Sequence, residues 1–126
     1  MPKQTETIPL SEGDQTWLGS TRGIYTNRTE TLVPSDFPAN LREGGYIKSG
    51  TPVTVTITEG GDHETTPYVA GQILSGFIFT DQVHGPDLDE PLNYPLMDFG
   101  RVRTERLPVE FTAPAPELNA TTIVFI

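Results

Sequence analysis

Apolar and polar positions alternate most clearly at residues 53–58, where Val53, Val55 and Ile57 interleave with Thr54, Thr56 and Thr58. Period-two alternation of β-branched residues predicts a half-buried strand. The stretch before it is built of turns. Gly44 and Gly45 free the backbone, Tyr46 and Ile47 form a short apolar pair, and Ser49-Gly50 makes a second turn. Pro52 removes a backbone donor at the mouth of the strand, a place that tolerates the loss.

The remaining pattern predicts further strands joined by loops. Residues 24–33 carry Thr26, Thr29 and Thr31 and read as a first strand. Residues 34–40 read as a loop with Phe37 tucked inward between two prolines. Residues 59–67 are polar throughout and read as a surface loop rather than a tight hairpin. The richest apolar run spans residues 70–83, and its right half, Gly76 to Thr80, reads as a buried strand. There Phe77 and Phe79 share one face, Ile78 takes the other, and Gly76 permits close approach of another backbone. Residues 84–95 are acidic and proline-rich and read as a loop. Residues 96–99 predict one helical turn stopped by Gly100, residues 101–111 a strand with Pro108 at an edge, residues 113–117 a semi-rigid spacer, and residues 121–126 a strongly β terminal strand.

The N-terminus departs from this pattern. Residues 1–16 are dominated by Thr, Glu, Gln, Ser, Gly and Asp, with Ile8 and Leu10 as an apolar pair at i, i+2. That composition does not offset its own ordering entropy, so residues 1–16 are expected to form a flexible extended arm. The apolar pair suits docking on a strand edge that a partner supplies. Trp17-Leu18-Gly19-Ser20 then marks the start of the folded body, residues 17–126. Trp17 reads as a core anchor or as an interface residue, and these alternatives stay open in the sequence.

Composition supports the β reading. Twelve prolines and twelve glycines in 126 residues argue against long helices. The expected fold is mainly β: a small single-domain barrel or sandwich with little helix and a flexible extended N-terminal arm. The length suffices for one modest core.

Charge and chemistry narrow the function classes. A net charge of −9 disfavours binding a phosphate backbone, so no nucleic-acid partner is expected. Arg101, Arg103 and Arg106 read as a solvated strand face. With no cysteine, thiolate zinc sites, disulfides and cysteine nucleophiles are excluded. The polar start, Met1 to Glu6, does not read as a signal peptide. No apolar run approaches the roughly 20 residues of a membrane span, so no membrane partner is expected.

His63 and His84 lack a second ligand pair at metal spacing and read as two solvent-facing loop histidines. Asp87, Asp89 and Glu90 lack the glycine and distal glutamate of a calcium loop. Asp98-Phe99-Gly100 reproduces the kinase magnesium tripeptide without the other kinase motifs, and no Gly-x-Ser-x-Gly elbow exists. Asn27-Arg28-Thr29 and Asn119-Ala120-Thr121 match the glycosylation sequon, which matters only in a secretory setting. Neither enzyme activity nor a cofactor or metal is expected.

Three motifs in order resemble the head decoration proteins of tailed phages, chiefly those infecting actinobacteria. The first joins Trp17-Leu18-Gly19-Ser20, the Thr-rich strand and Gly45-Tyr46-Ile47-Lys48-Ser49-Gly50-Thr51-Pro52. The second is Ala70-Gly71 with Gly76-Phe77-Ile78-Phe79-Thr80-Asp81. The third is Gly100, Val102 and Leu107-Pro108. The likeness covers residues 17–109 and extends, more distantly, to the small decoration protein of phage lambda. Residues 84–95 depart from it as an insertion-like segment.

The resemblance implies a β-rich structural virion protein that trimerises on the capsid exterior at three-fold and quasi-three-fold points. There it cements neighbouring subunits of the major capsid protein, and its arm orders on the shell. Ile8, Leu10, Trp17 and Leu18 are then the candidates for capsid or subunit contact. The alternative is a carbohydrate- or host-surface-binding β module using Trp17, Tyr68 and Tyr94 as stacking platforms. Burial of Trp17 at the foot of the arm discriminates between the two. A small hydrolase is a third and weaker reading.

Overall fold

The computed structural model describes residues 14–19 and 27–126. Among the described residues, nine short strands make up most of the regular structure: β1 (Arg28–Leu32), β2 (Tyr46–Ile47), β3 (Pro52–Ile57), β4 (His63–Pro67), β5 (Gly76–Ile78), β6 (Gln82–Val83), β7 (Leu92–Met97), β8 (Phe99–Val102) and β9 (Thr122–Phe125). The helical content consists of isolated 3-10 turns, so the mainly β expectation holds.

Five strands close a small barrel in the order β1-β4-β3-β5-β7. Four of its five contacts are antiparallel; β1 meets β4 in parallel through Leu32 and Thr65. Its interior is filled by Leu32, Phe37, Ile47, Val53, Ile78, Tyr94 and Leu96. A second core, Trp17, Leu74, Phe77, Met97, Val102 and Ile123, lies on the other side of β5 and β7. β5 serves both: Ile78 points into the barrel and Phe77 away from it, with Phe79 half-buried beside Phe77. That is the alternation read from residues 76–80. Gly76 also behaves as expected, because a Cβ there would lie 2.5 Å from the Met97 carbonyl oxygen.

Covering the second core is a small parallel sheet, in which β8 pairs with β9 from Phe99↔Thr122 to Val102↔Phe125. Residues 17–19 run along the other edge of β8. Gly19 N–H donates to the Arg101 carbonyl and Arg103 N–H to the Trp17 carbonyl, while Ile126 N–H donates to Val102 on the β9 side. Val102, Ile123 and Phe125 face inward. Phe99, Arg101, Thr122, Val124 and Ile126 face outward and are exposed.

Four expectations are corrected. Residues 59–67 are not a surface loop: His63–Pro67 is β4, joined to β3 by a tight hairpin. Gly61, at φ +86°, donates to Thr58 O at 2.9 Å, and Thr58 donates to Asp62 O. This is a turn ending in a left-handed glycine and bulge, and polar residues suffice because only Thr65 of the strand is buried. Residues 84–95 are not all loop, because β7 begins at Leu92 and includes Pro95. Residues 96–99 form no helical turn, since Leu96 and Met97 complete β7 and both are buried. The strand expected over residues 101–111 stops at Val102 and gives way to a 3-10 turn at Thr104–Arg106. The predicted first strand spans Arg28–Leu32, with residues 24–26 outside the described part. The terminal strand is present as β9, yet only one of its faces is covered.

Candidate functional site

The sequence candidates converge on the foot of the N-terminal segment. Trp17 is fully buried and lies against Phe77 at a ring-centroid distance of 5.8 Å. Its indole N–H donates to Ser49 Oγ at 3.1 Å, and that hydroxyl donates to the Phe79 carbonyl at 2.6 Å. Gln15 Nε2 donates to the same carbonyl at 2.6 Å, and the Ser49 amide donates to Asp81 Oδ1 at 2.8 Å. Gly50, at φ +93°, lets the turn pass close to the indole: a Cβ there would meet Trp17 Nε1 at 2.8 Å and Pro108 Cδ at 2.9 Å. The three stretches that carry the family resemblance therefore meet at one junction.

Trp17 is thus the core anchor, its ring fully buried in the second core. Leu18 is half-buried, bridging Val102 and packing on the second core. Ile8 and Leu10 lie outside the described residues. Residues 14–16, read as the end of the arm, belong to the foot: Gln15 is tied to Phe79, and its carbonyl accepts from Leu18 N–H. The stacking platforms of the alternative reading point inward. Tyr94 is buried in the barrel, and Tyr68 packs against Phe111 at 5.7 Å.

Beside this junction runs an open groove of about 370 Å³ lined by Asp14, Tyr46, Lys48, Asp81, Arg106 and Pro108, among others. The Thr16 amide and hydroxyl hold the Asp14 carboxyl below its ordinary range, with a smaller pull from Arg106. Neither Lys48 nor Arg106 makes an ion pair among the described residues. The groove thus offers mixed charge and no nucleophile–base pair. The Ser49 hydroxyl is held between the Trp17 indole and the Phe79 carbonyl.

A second polar cluster closes one mouth of the barrel. Glu30 faces inward and is buried, held by Arg28 Nε at 3.2 Å and His63 Nδ1 at 3.1 Å. Arg28 also reaches Asp98 at 3.6 Å, and deeper in, Tyr94 and Thr65 share a hydroxyl hydrogen bond of 2.8 Å. His63 is therefore a strand residue pairing a buried carboxylate, not a loop histidine. His84 is half-buried and bonds the Gly85 carbonyl. Among the described residues no three His, Asp or Glu side chains are grouped to hold a metal ion.

Gln15, Ser49 and Glu30 escaped sequence reasoning. Short polar residues in turns carry no periodicity, and an inward glutamate on a strand looks like any solvated one. No family model, curated protein or solved structure matches the chain.

Proposed function

We propose that this chain is a structural, non-enzymatic virion protein that decorates and cements the exterior of a phage capsid. It acts as trimers at three-fold and quasi-three-fold positions, against the major capsid protein. The observation that carries this reading is the junction of Trp17, Ser49-Gly50, Phe79 and Pro108. Motifs that resemble the decoration family one by one lie together in space there, at the point where the N-terminal segment is tied to the body. A small β body with a segment rooted by a buried tryptophan suits a protein whose work is contact. The inward placement of Trp17, Tyr68 and Tyr94 disfavours the carbohydrate-binding alternative.

The test is removal of residues 1–13, which leaves the Trp17 anchorage intact. Expanded heads are mixed with full-length and truncated protein, and retention is read by sedimentation of the heads. The melting temperature should stay nearly unchanged while retention is lost. Full occupancy by the truncated protein would overturn the assignment of attachment to this segment. Failure of the full-length protein to bind heads would overturn the decoration reading itself.

A further inference from the structure

The groove beside the junction continues past the residues named so far. A smaller hollow of about 60 Å³, lined by Leu41 and Val109 among others, shares Lys48 and Pro108 with it. Asp14, Asp81, Arg106 and Leu107 thus belong to one end, Lys48 and Pro108 to the middle, and Leu41 and Val109 to the other end. Arg106 and Lys48 are exposed and pair with no carboxylate among the described residues. The two acids of the first end are already engaged: Asp14 Oδ1 accepts from the Thr16 amide and Asp81 Oδ1 from the Ser49 amide.

We propose that residues 8–12 of the same chain seat in this groove as an extended segment. Glu12 then meets Arg106 and Lys48, Leu10 meets Leu107 and Pro108, and Ile8 meets Leu41 and Val109. Successive side chains of an extended segment take opposite faces, which puts Ile8, Leu10 and Glu12 on one face and Pro9, Ser11 and Gly13 on the other. The first face carries an acid and two apolar residues in the order in which the groove, followed from Asp14, offers cations and then apolar side chains. Pro9 fixes its own φ and biases Ile8 toward extended backbone, which lowers the cost of ordering the segment.

The segment belongs to the same copy because its root is part of the groove wall. Asp14 lines the groove, and Gln15 and Trp17 are pinned behind it to Phe79 and Ser49. Glu12 lies two residues from Asp14, and the six peptide steps back to Ile8 cover up to about 20 Å. A segment tethered this closely competes at an effective concentration on the order of millimolar, far above a second copy in dilute solution. Ion pairs at an exposed rim are weak, so this latch adds little to the melting temperature and yields to a stronger acceptor. Its consequence rests on the decoration reading: Ile8 and Leu10 stay covered until a head offers a better site.

The chain has no cysteine, so an engineered pair reports alone. Full-length Ile8→Cys/Val109→Cys protein is oxidised without heads, with Ile8→Cys/Val69→Cys as the control. Val69 lines neither part of the groove and is more exposed than Val109, which favours the control. An internal disulfide within single chains, formed several-fold faster than in the control, is expected. A rate equal to the control overturns the latch, and so does a disulfide formed chiefly between two chains. Adding Lys48→Glu and Arg106→Glu should slow the reaction toward the control, and adding Glu12→Lys to those should restore it. A rate that the charge reversal leaves unmoved, or that Glu12→Lys does not restore, overturns the seating of Glu12. Retention on heads should be lower for the oxidised than for the reduced form, and equal retention overturns the covering of Ile8 and Leu10. Heads also separate the two inferences: a wild-type chain that heads do not retain overturns decoration and leaves the cross-link standing, and retention without the cross-link does the reverse.

Discussion

Phe79 donates its amide to the carbonyl of Pro95 at 3.0 Å, and Pro95 has no N–H to return. The register of β5 and β7 continues to this pair, so a non-proline residue would complete a two-bond rung. The carbonyl left over is instead the acceptor for Ser49 Oγ and Gln15 Nε2. A proline inside a barrel strand thereby supplies the site at which the N-terminal segment is fastened.

Ser49→Ala removes one donor to that carbonyl and strands the buried Trp17 indole N–H. A loss of about 1–3 kcal/mol is expected, the cost of leaving a buried donor unpaired. Urea unfolding measures it. A double-mutant cycle with Gln15→Ala tests whether the two donors act together, and strict additivity with a loss below about 0.5 kcal/mol would show the network to be idle.

Truncation on either side of β5 should be severe, because the strand serves two cores. Phe77→Ala is expected to cost about 3–5 kcal/mol and Ile78→Ala about 2–5 kcal/mol. Phe79→Ala, half-buried, should cost less than Phe77→Ala. Equilibrium unfolding of the three variants checks the order, and near-neutral values at Phe77 and Ile78 would contradict the two-sided packing.

Two glycines in left-handed conformations should respond differently to alanine. Gly71 has open space around it, so Gly71→Ala carries only the conformational cost, about 1 kcal/mol. Gly50→Ala adds a collision with Trp17 and Pro108 and should cost clearly more. Thermal melts of the pair decide it; equal shifts would mean that the indole yields freely.

Alkaline pH should unfold the protein through Tyr94. Burial pushes its phenol up from the ordinary 10.0; the Thr65 hydrogen bond opposes the rise, and the Glu30 charge adds to it. The folded phenol keeps its proton where the unfolded chain has lost one. Stability is therefore intact below about pH 10 and falls above it, by up to about 1.4 kcal/mol per pH unit. Phenolate absorbance should show one tyrosine ionising only on unfolding. Tyr94→Phe should abolish that step, at a cost of about 1 kcal/mol near neutrality for the lost Thr65 bond. A Tyr94 that titrates in the folded protein near pH 10 would contradict its burial.

Association should tolerate salt. Three chains of −9 carry −27, a repulsion that added salt screens. Any apolar contact between copies is not weakened by the same screening. Sedimentation between about 50 and 500 mM salt, the range over which screening tightens, should show association steady or rising. A steep fall would mean that ion pairs dominate the contact.

Much of the fold was legible wherever burial imposes a period. β3 shows in Val53 and Val55, β5 in Phe77 and Ile78, and β9 in Ile123 and Phe125. β4 was hidden because His63 to Pro67 is polar, with one buried position, and barrel closure holds it through its neighbours. β7 was hidden by Pro95, which reads as a breaker unless the strand opposite is known to end beside it. At the junction, Trp17 stood out by size and Gly50 by its turn. Ser49 and Gln15 did not, because a hydrogen bond across 30 or 64 residues leaves no local trace.

β8 is clasped between residues 17–19 and residues 122–125, which lie a hundred residues apart along the chain. During synthesis every barrel strand, from β1 to β7, has been made before residue 98. The barrel can therefore pair all its strands without β9, whereas the covering sheet waits for it. A folding chain whose barrel has closed but whose β9 has not yet docked leaves Trp17 and Phe77 in an unroofed pocket, the kind of exposed apolar surface that invites premature pairing.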